Sequence, residues 1–427
     1  MRICVAGLGK IGVPLAVQYA SKGHDVAGYD ISQRRVDEIN AKHNPLPGEP
    51  GLDEKLPGLV VSGKLRATTD AREAVAGAEA VVLIVPVDID VAQRPDFTLL
   101  DAAVDAIAPH LRRGALVIVE TTVPVGTTRH RVGGRIARAT GYAAPADVAL
   151  AFSPERVSSG TVLRDLRIYP KVVGGVDARS TALAVRFYGE TLDAEIMEVR
   201  DAETAEYSKL LETTYRDVNI ALANEFARVG DALGVDTLQA IAAANSQPYS
   251  HIHAPGPGVG GHCIPVYPYF IGAPEAPVEV EVAPELTAAA RRINDAMAHY
   301  AVSRLSAAMG GLDGATVVVL GLAYRAGVKE WRHSSAFGLY NALVAAGATA
   351  YVHDPLFARE EIEALGLEAP PSWPLPCDAL VVQAWHGEYG GLDLRAFAGL
   401  KAVLDARAAL EPAAVEGLGV RYVGIGR

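Results

Sequence analysis

A lone cysteine, Cys263, stands in the most glycine-dense segment of the chain, Pro255-Gly256-Pro257-Gly258-Val259-Gly260-Gly261-His262-Cys263-Ile264-Pro265. A thiol ionises far more readily than a hydroxyl, and its thiolate adds to carbonyl carbon. The glycines would let a ligand come close to the backbone beside it. The same residues allow a blander reading, a small buried thiol in a tight turn. A second chemical signal lies at the start of the chain. Gly7-Leu8-Gly9-Lys10-Ile11-Gly12 follows a strand-like Ile3–Ala6 and opens a helical stretch, the context in which a glycine-rich turn cradles a dinucleotide pyrophosphate. Asp30 ends the next strand-like run, where its carboxylate can accept hydrogen bonds from the adenine ribose hydroxyls and repel a 2′-phosphate. The pair predicts NAD rather than NADP. Arg35 pulls the other way, since an arginine here can accommodate a 2′-phosphate, although it can equally stack on adenine.

These residues need a scaffold, and its outline is legible. Ile3–Ala6, Asp25–Tyr29, Ala80–Val85, Ala115–Val119 and Val148–Phe152 read as buried strands alternating with helices, which predicts a parallel, doubly wound sheet. Asp37–Val60, rich in proline and glycine, reads as a loop carrying Pro45, Pro47 and Pro50. Ala202 to about Leu233 reads as one long amphipathic helix, with Leu210, Thr214, Val218, Leu222 and Phe226 along a stripe. That stripe is too apolar to face water, so a homodimer is expected. A turn-rich stretch, Gln247–Pro268, precedes a second helix, Glu285–Met309. Alternation then resumes with Thr316–Leu320, Thr349–His353, Ala379–Ala384, Ala402–Asp405 and Val420–Gly424. The expected α/β architecture is two Rossmann-like doubly wound domains, residues 1–200 and 311–427, joined by a central helical domain at 201–310.

Composition narrows the function. At 427 residues the chain exceeds one ordinary core, and its apolar runs are strand-sized, too short to span a bilayer. The start shows no signal-peptide pattern, and three cysteines, Cys4, Cys263 and Cys377, are too few and too odd for a disulfide framework. A cytoplasmic protein is expected. No metal-ligand spacing is present. The net charge of −11, without a basic run, argues against nucleic acid as a partner.

The motifs also form a collinear series: GLGKIGVPLA at Gly7 to Ala16, EPGLDE at Glu49 to Glu54, ETTVPVGTT at Glu120 to Thr128, FSPERVSSG at Phe152 to Gly160, KLLETTYRDVNIALANE at Lys209 to Glu225, GPGVGGHCIPV at Gly256 to Val266 and VVVLGLAYR at Val317 to Arg325. In this the chain resembles the family of UDP-glucose, UDP-N-acetylhexosamine and GDP-mannose 6-dehydrogenases. The resemblance implies an NAD-binding domain, a helical dimerisation domain and a nucleotide-sugar domain. It also implies oxidation of a sugar C6 alcohol to a carboxylate, with Cys263 as nucleophile and Lys209 as the cation beside the C6 oxyanion. Glu155 then belongs to the hydrolytic half, and Thr122 contacts the cofactor or a catalytic water. Arg325 stands where the family usually has a lysine binding nucleotide or sugar, Arg332 where an arginine reaches the cofactor, and Arg407 near a further ligand-binding arginine; Gly260 belongs to the substrate loop.

The chain departs from the family pattern at two positions. Tyr267 replaces the aspartate usual four residues after the cysteine, and Thr213 replaces the asparagine usual four residues after the lysine. A phenol, with a reference pKa of about 10, cannot serve as an aspartate would, whereas the shorter Thr213 hydroxyl can still donate to an oxyanion. Arg156, directly after Glu155, resembles the branch acting on UDP-2-acetamido sugars such as UDP-ManNAc or UDP-GlcNAc, although Tyr249 replaces an arginine often seen there. UDP-glucose oxidation, a catalytically reduced binding protein, a hydroxyacid dehydrogenase and a structural dimer are the alternatives. The last two leave the cysteine loop or the glycine fingerprint without a purpose.

Overall fold

The computed structural model describes residues 1–158, 160–274 and 282–427; Ser159 of the FSPERVSSG segment lies outside the described residues. The chain forms two compact units. Met1–Glu212, with the described part of Tyr269–Ala283, makes the first; Thr213–Pro268 and Pro284–Arg427 make the second.

The first unit is built on an eight-stranded sheet. Its strands are β1 (Arg2–Ala6), β2 (Asp25–Tyr29), β3 (Leu65–Thr68), β4 (Ala80–Leu83), β5 (Leu116–Val119), β6 (Ala149–Phe152), β7 (Lys171–Gly175) and β8 (Ile196–Glu198), in the spatial order β8-β7-β6-β5-β4-β1-β2-β3. The central strands are short apolar runs buried on both faces, as parallel strands under helices must be. Ile3 pairs with Val26 on one side and Ala80 on the other, so the order reverses at β1 and opens a crevice beyond its carboxyl end.

Three of these strands escaped the sequence reading. Edge strands β3 and β8 are short and carry Arg66 and Glu198, because one side of an edge faces water. The third, β7, begins with a lysine and ends in two glycines, and it runs antiparallel to β6, so the sheet is not parallel throughout. The expected loop at Asp37–Val60 is also corrected. It contains the end of α2 (Gln33–Asn40) and most of α3 (Leu52–Val61), which leaves residues 41–51 as the loop. Ser32 caps α2 by accepting from the Arg35 N–H, and Asp53 and Glu54 place negative charge at the start of α3. Pro45, Pro47 and Pro50 fall between the helices; Pro57 sits within α3.

The helix Ala202–Leu233, α4, is unbroken over 32 residues. Its exposed apolar side chains are Tyr207, Leu211, Tyr215, Leu222, Phe226, Val229 and Leu233. The stripe read from sequence was partly misplaced: Leu210 and Thr214 are buried. A fixed step of four residues advances about 40° too far per step and drifts round the helix. No helix among the described residues is long and apolar enough to cross a membrane.

The second unit holds a five-stranded parallel sheet of β9 (Thr316–Leu320), β10 (Thr349–His353), β11 (Ala379–Val382), β12 (Ala402–Asp405) and β13 (Arg421–Gly424), ordered β10-β9-β11-β12-β13. On one face Val317, Val319 and Leu404 pack with Met297, Ala301 and Leu305 of α5 (Glu285–Met309) and Leu339 and Leu343 of α6 (Ser335–Ala345). On the other, Val318, Leu320 and Leu380 pack with Tyr389 and Phe397. Buried polar groups tie α5 to α4: Asp217 pairs with Arg291 at 2.6 Å, and Asn224 donates to Asn294 at 2.9 Å.

Candidate active site

In the first unit the three fingerprint glycines have three different surroundings. Gly7, at φ +101°, would bring a Cβ within 2.6 Å of the Ile84 carbonyl oxygen, and a Cβ on Gly12 would lie 1.8 Å from the Gly7 carbonyl oxygen. A Cβ on Gly9 would meet nothing within 4 Å. The turn is therefore closed on the protein side and open at Gly9, beside the N-terminus of α1 (Gly12–Ser21), where Ile11 occupies the N-cap position. An anion there would face the positive end of the α1 dipole. Asp30 Oδ2 accepts from the Leu8 N–H at 2.7 Å, Oδ1 accepts from the Ser32 N–H at 2.9 Å, and Arg35 Nη1 donates to the Leu8 carbonyl at 2.7 Å. The cradle fits NAD: Gly9 and the start of α1 would hold the pyrophosphate, and Asp30 stands where the adenine ribose is read.

Thr122 is buried in the segment beyond β5. Beyond β6, Glu155 Oε1 accepts from the N–H groups of Arg156 at 2.7 Å and Val157 at 3.1 Å, while Oε2 lies 3.2 Å from Lys171 Nζ. Lys171 also reaches Glu120 Oε2 at 3.1 Å, and Glu120 Oε1 accepts from Tyr188 at 2.6 Å and Tyr19 at 3.1 Å. Burial pushes Glu120 up to about 7, against the pull of Lys171. Burial also raises Glu155, but the Lys171 charge and the Arg156 N–H outweigh it and leave Glu155 below the usual carboxylate value. The sequence reading missed Lys171, whose only signal is a lysine opening an otherwise apolar run. It also missed Glu212, which links two candidate cations: Arg156 Nε donates to Oε2 at 2.9 Å, and Lys209 Nζ lies 3.6 Å from Oε1. The Glu49 carboxylate of the EPGLDE segment accepts from the N–H groups of Gly160 and Val162, both at 2.7 Å.

The second unit carries Cys263, half-buried, with its carbonyl accepting from the N–H groups of Val266 at 3.2 Å and Tyr267 at 2.9 Å. The Gly261 N–H donates to the Arg332 carbonyl at 2.9 Å, the Gly256 N–H donates to Asn224 Oδ1 at 2.9 Å, and His262 Nε2 pairs with Glu330 at 2.9 Å. The expectation that these glycines make room for a ligand is corrected. A Cβ on Gly260 would lie 2.7 Å from Tyr324 Cβ and 2.8 Å from the His333 carbonyl oxygen, and one on Gly256 would lie 2.8 Å from Arg407 Nη1. The space is filled by the protein's own chain, so Gly260 seats the loop against the segment following β9. Thr213 is buried, one helical turn beyond Lys209 on α4.

Arg325 is exposed and donates from Nε to the Tyr324 hydroxyl at 3.0 Å. Arg407 donates from Nε to the Gln383 carbonyl and from Nη2 to Gln383 Oε1, both at 2.8 Å; burial pulls its pKa down to about 10. The loop carrying Tyr324 and Arg325 is pinned at both ends. Asp354 Oδ2 accepts from the N–H groups of Leu322 at 2.8 Å and Ala323 at 2.9 Å and meets His386 Nε2 at 3.0 Å, while His386 Nδ1 accepts from the Gly327 N–H at 3.2 Å. Nδ1 can accept only if the imidazole proton is on Nε2, so this contact assigns the tautomer.

A glycine-closed dinucleotide cradle on one doubly wound sheet, and a half-buried thiol seated against the loops of a second, define an NAD-dependent oxidoreductase. The chain belongs to the UDP-glucose/GDP-mannose dehydrogenase family: the family's NAD binding domain matches residues 1–192, its central domain 203–296 and its UDP binding domain 318–412. It is 36% identical over 397 residues to a UDP-N-acetyl-D-mannosamine dehydrogenase of Methanocaldococcus jannaschii, covering 92% of this chain and 87% of that one. It is 38% identical to an NDP-N-acetyl-D-galactosaminuronic acid dehydrogenase of Ralstonia solanacearum over 80% of each chain. The solved UDP-D-ManNAc dehydrogenase from Pyrococcus horikoshii superposes with a TM-score of 0.89 at 33% identity, covering 100% of this chain and 99% of that one.

Two sets of variants test this geometry. Gly9→Ala should leave the melting temperature unchanged and abolish NAD binding in a calorimetric titration, whereas Gly12→Ala should lower the melting temperature itself; equal effects on both properties would contradict the open and closed positions. Asp354→Ala strands two buried N–H groups, so it should destabilise the second unit by about 3 kcal/mol, read as a lower urea midpoint. An unchanged midpoint would show that these amides find other acceptors.

Proposed function

We propose that this chain oxidises the C6 alcohol of a UDP-N-acetylhexosamine, UDP-ManNAc or UDP-GlcNAc, to the uronate in two steps, with a covalent intermediate on Cys263. The observation that carries the reading is the half-buried thiol on a loop whose glycines seat it against the segment carrying Tyr324 and Arg332. NAD, when bound, accepts the hydride lost in each oxidation. The Cys263 thiolate adds to the C6 aldehyde, which forms the C–S bond and places negative charge on the former carbonyl oxygen. Lys209 stabilises that oxyanion, with Thr213 as a hydroxyl donor beside it. Oxidation of the adduct leaves a thioester, and water cleaves it with Glu155 as base and Thr122 orienting the water or the cofactor.

Tyr267 cannot supply the missing carboxylate, which makes Glu155 the stronger candidate for the base. Arg156, Arg325 and Arg407 are assigned to the sugar and its nucleotide, with Gly260 seating the Cys263 loop. Gly7, Gly9, Ile11, Gly12, Asp30, Arg35 and Arg332 are assigned to NAD. The 2-acetamido preference is supported by Arg156 after Glu155 and by the names of the relatives. Residues 1–200, 201–310 and 311–427 are the working division into cofactor, dimerisation and nucleotide-sugar regions. A reducing, cytoplasmic setting fits three unpaired cysteines.

The apolar side chains exposed along α4 support a homodimer through that helix. Leu222→Glu with Phe226→Glu should convert a dimer to a monomer in light scattering; a monomeric wild type at micromolar concentration would overturn the assembly.

Wild-type enzyme should release two NADH per sugar. Cys263→Ser should bind NAD normally yet form no carboxylate, and Glu155→Gln should let a thioester build up on Cys263, visible by intact mass. Near wild-type release of two NADH by Cys263→Ser would refute the covalent route. One NADH with free aldehyde from the wild type would show that Thr213 and Tyr267 stop the reaction after its first oxidation.

A further inference from the structure

Glu155 does not stand alone. Its Oε1 is fixed by two backbone N–H groups and its Oε2 by Lys171 Nζ, a lysine that opens β7 and is almost wholly buried. Lys171 is in turn held by Glu120, whose other oxygen takes the hydroxyls of Tyr19 from α1 and Tyr188 from the helix Ala178–Thr191. The ammonium also lies 5.0 Å from the centre of the Tyr188 ring. These groups, with Arg156 on the adjoining loop, are the charged and titratable side chains facing Glu155. Every one belongs to the first unit.

We infer that Lys171, anchored by Glu120, is a positioning residue for the hydrolytic step: it aims the Glu155 carboxylate and holds it ionised so that it can take a proton from water. The inference rests on the reading of Glu155 as that base. A buried cluster of two carboxyl groups and one ammonium is neutral with one of the carboxyls ionised, and burial of a second, uncompensated carboxylate is unfavourable enough that it would retain its proton. The geometry decides which carboxyl stays charged. Glu155 has the ammonium, two amides and a hydrogen bond from the Glu120 carboxyl, whereas Glu120 shares the same ammonium and meets two phenols.

The same unit supplies a control. Glu206 is fully buried, where Glu155 keeps a small exposed edge, and it also accepts from two backbone amides, Gly126 at 2.6 Å and Thr128 at 2.8 Å, but among the described residues no lysine or arginine pairs with it. Burial pushes Glu206 up to about 8, while Glu155 with Lys171 is held below the usual carboxylate range. Glu155 differs in having the ammonium, a hydrogen bond from Glu120 and a less complete burial. Because the folded-state value of Glu155 is depressed, its charged form persists above the ordinary carboxylate range and is lost only as the pH falls below it.

The test is the pH profile of thioester hydrolysis in the full-length enzyme with NAD and UDP-N-acetylhexosamine, followed by quenched intact-mass measurement of the Cys263 adduct. Lys171→Met should move the acid limb up by at least about one pH unit, slow hydrolysis about tenfold near that limb, and let the thioester accumulate, with KM little changed. Lys171→Arg should restore the wild-type profile. Should Lys171→Met fail to fold, Lys171→Gln keeps a polar group at the position without the charge, and the acid limb should again move up. A Lys171→Met enzyme that folds and keeps both the wild-type limb and a thioester-free steady state would overturn the inference, as would an unmoved limb in Lys171→Gln. Glu155→Gln separates the two levels: if it hydrolyses the thioester at the wild-type rate, the reading of Glu155 fails, and if it is slow while the Lys171 variants are normal, only the role of Lys171 fails.

Discussion

A buried backbone N–H must find an acceptor, and the loops leaving the strands of a doubly wound sheet have no ladder to supply one. In this chain side-chain carboxylates fill that need. Asp30 takes the N–H groups of Leu8 and Ser32, Glu49 those of Gly160 and Val162, and Glu155 those of Arg156 and Val157. Asp354 takes those of Leu322 and Ala323, and Asp405 those of Arg407 and Leu410. Each carboxylate fastens a loop that bears a fingerprint residue or a candidate ligand-binding group. Loop order in both units therefore depends on carboxylates that each gather two such amides, in two cases with a lysine or histidine beside them.

Glycine serves a related end. At Gly12, Gly256, Gly260 and Gly321 the missing side chain lets one stretch of the protein lie directly against another; a Cβ on Gly321 would come within 2.6 Å of Ala384. At Gly9 alone in the fingerprint does the absence leave open space. A motif of identical letters thus divides into positions that build the turn and one that leaves space beside it. The difference appears only when the neighbours of each Cβ are known.

Much of the fold was legible because apolar runs of strand length alternate with helical periodicity. The bounds of α4 and α5, and three of the five strands in the second sheet, agree with the sequence reading to the residue. What escaped lacked that signal. The edge strands β3 and β8 carry charge, and β7 opens with a lysine whose role is tertiary. Proline content hid α3, although its start carries favourable acids. The chemical residues were recognisable by motif; their holders were not. Lys171, Glu212, Asp354 and His386 each reach a partner 16 or more residues away, and Arg156–Glu212 alone spans 56. No local pattern encodes such a meeting.

Asp30 gives this wiring an evolutionary edge. The carboxylate proposed to face the ribose also keeps the Leu8 amide satisfied and starts the turn into α2. A drift toward the phosphorylated cofactor would first have to shed that negative charge, and the same step would unfasten the loop that grips the pyrophosphate. Asparagine preserves a single acceptor oxygen and must then choose between the two amides. The path to a new cofactor thus runs through a loosened intermediate unless another acceptor for Leu8 arises first.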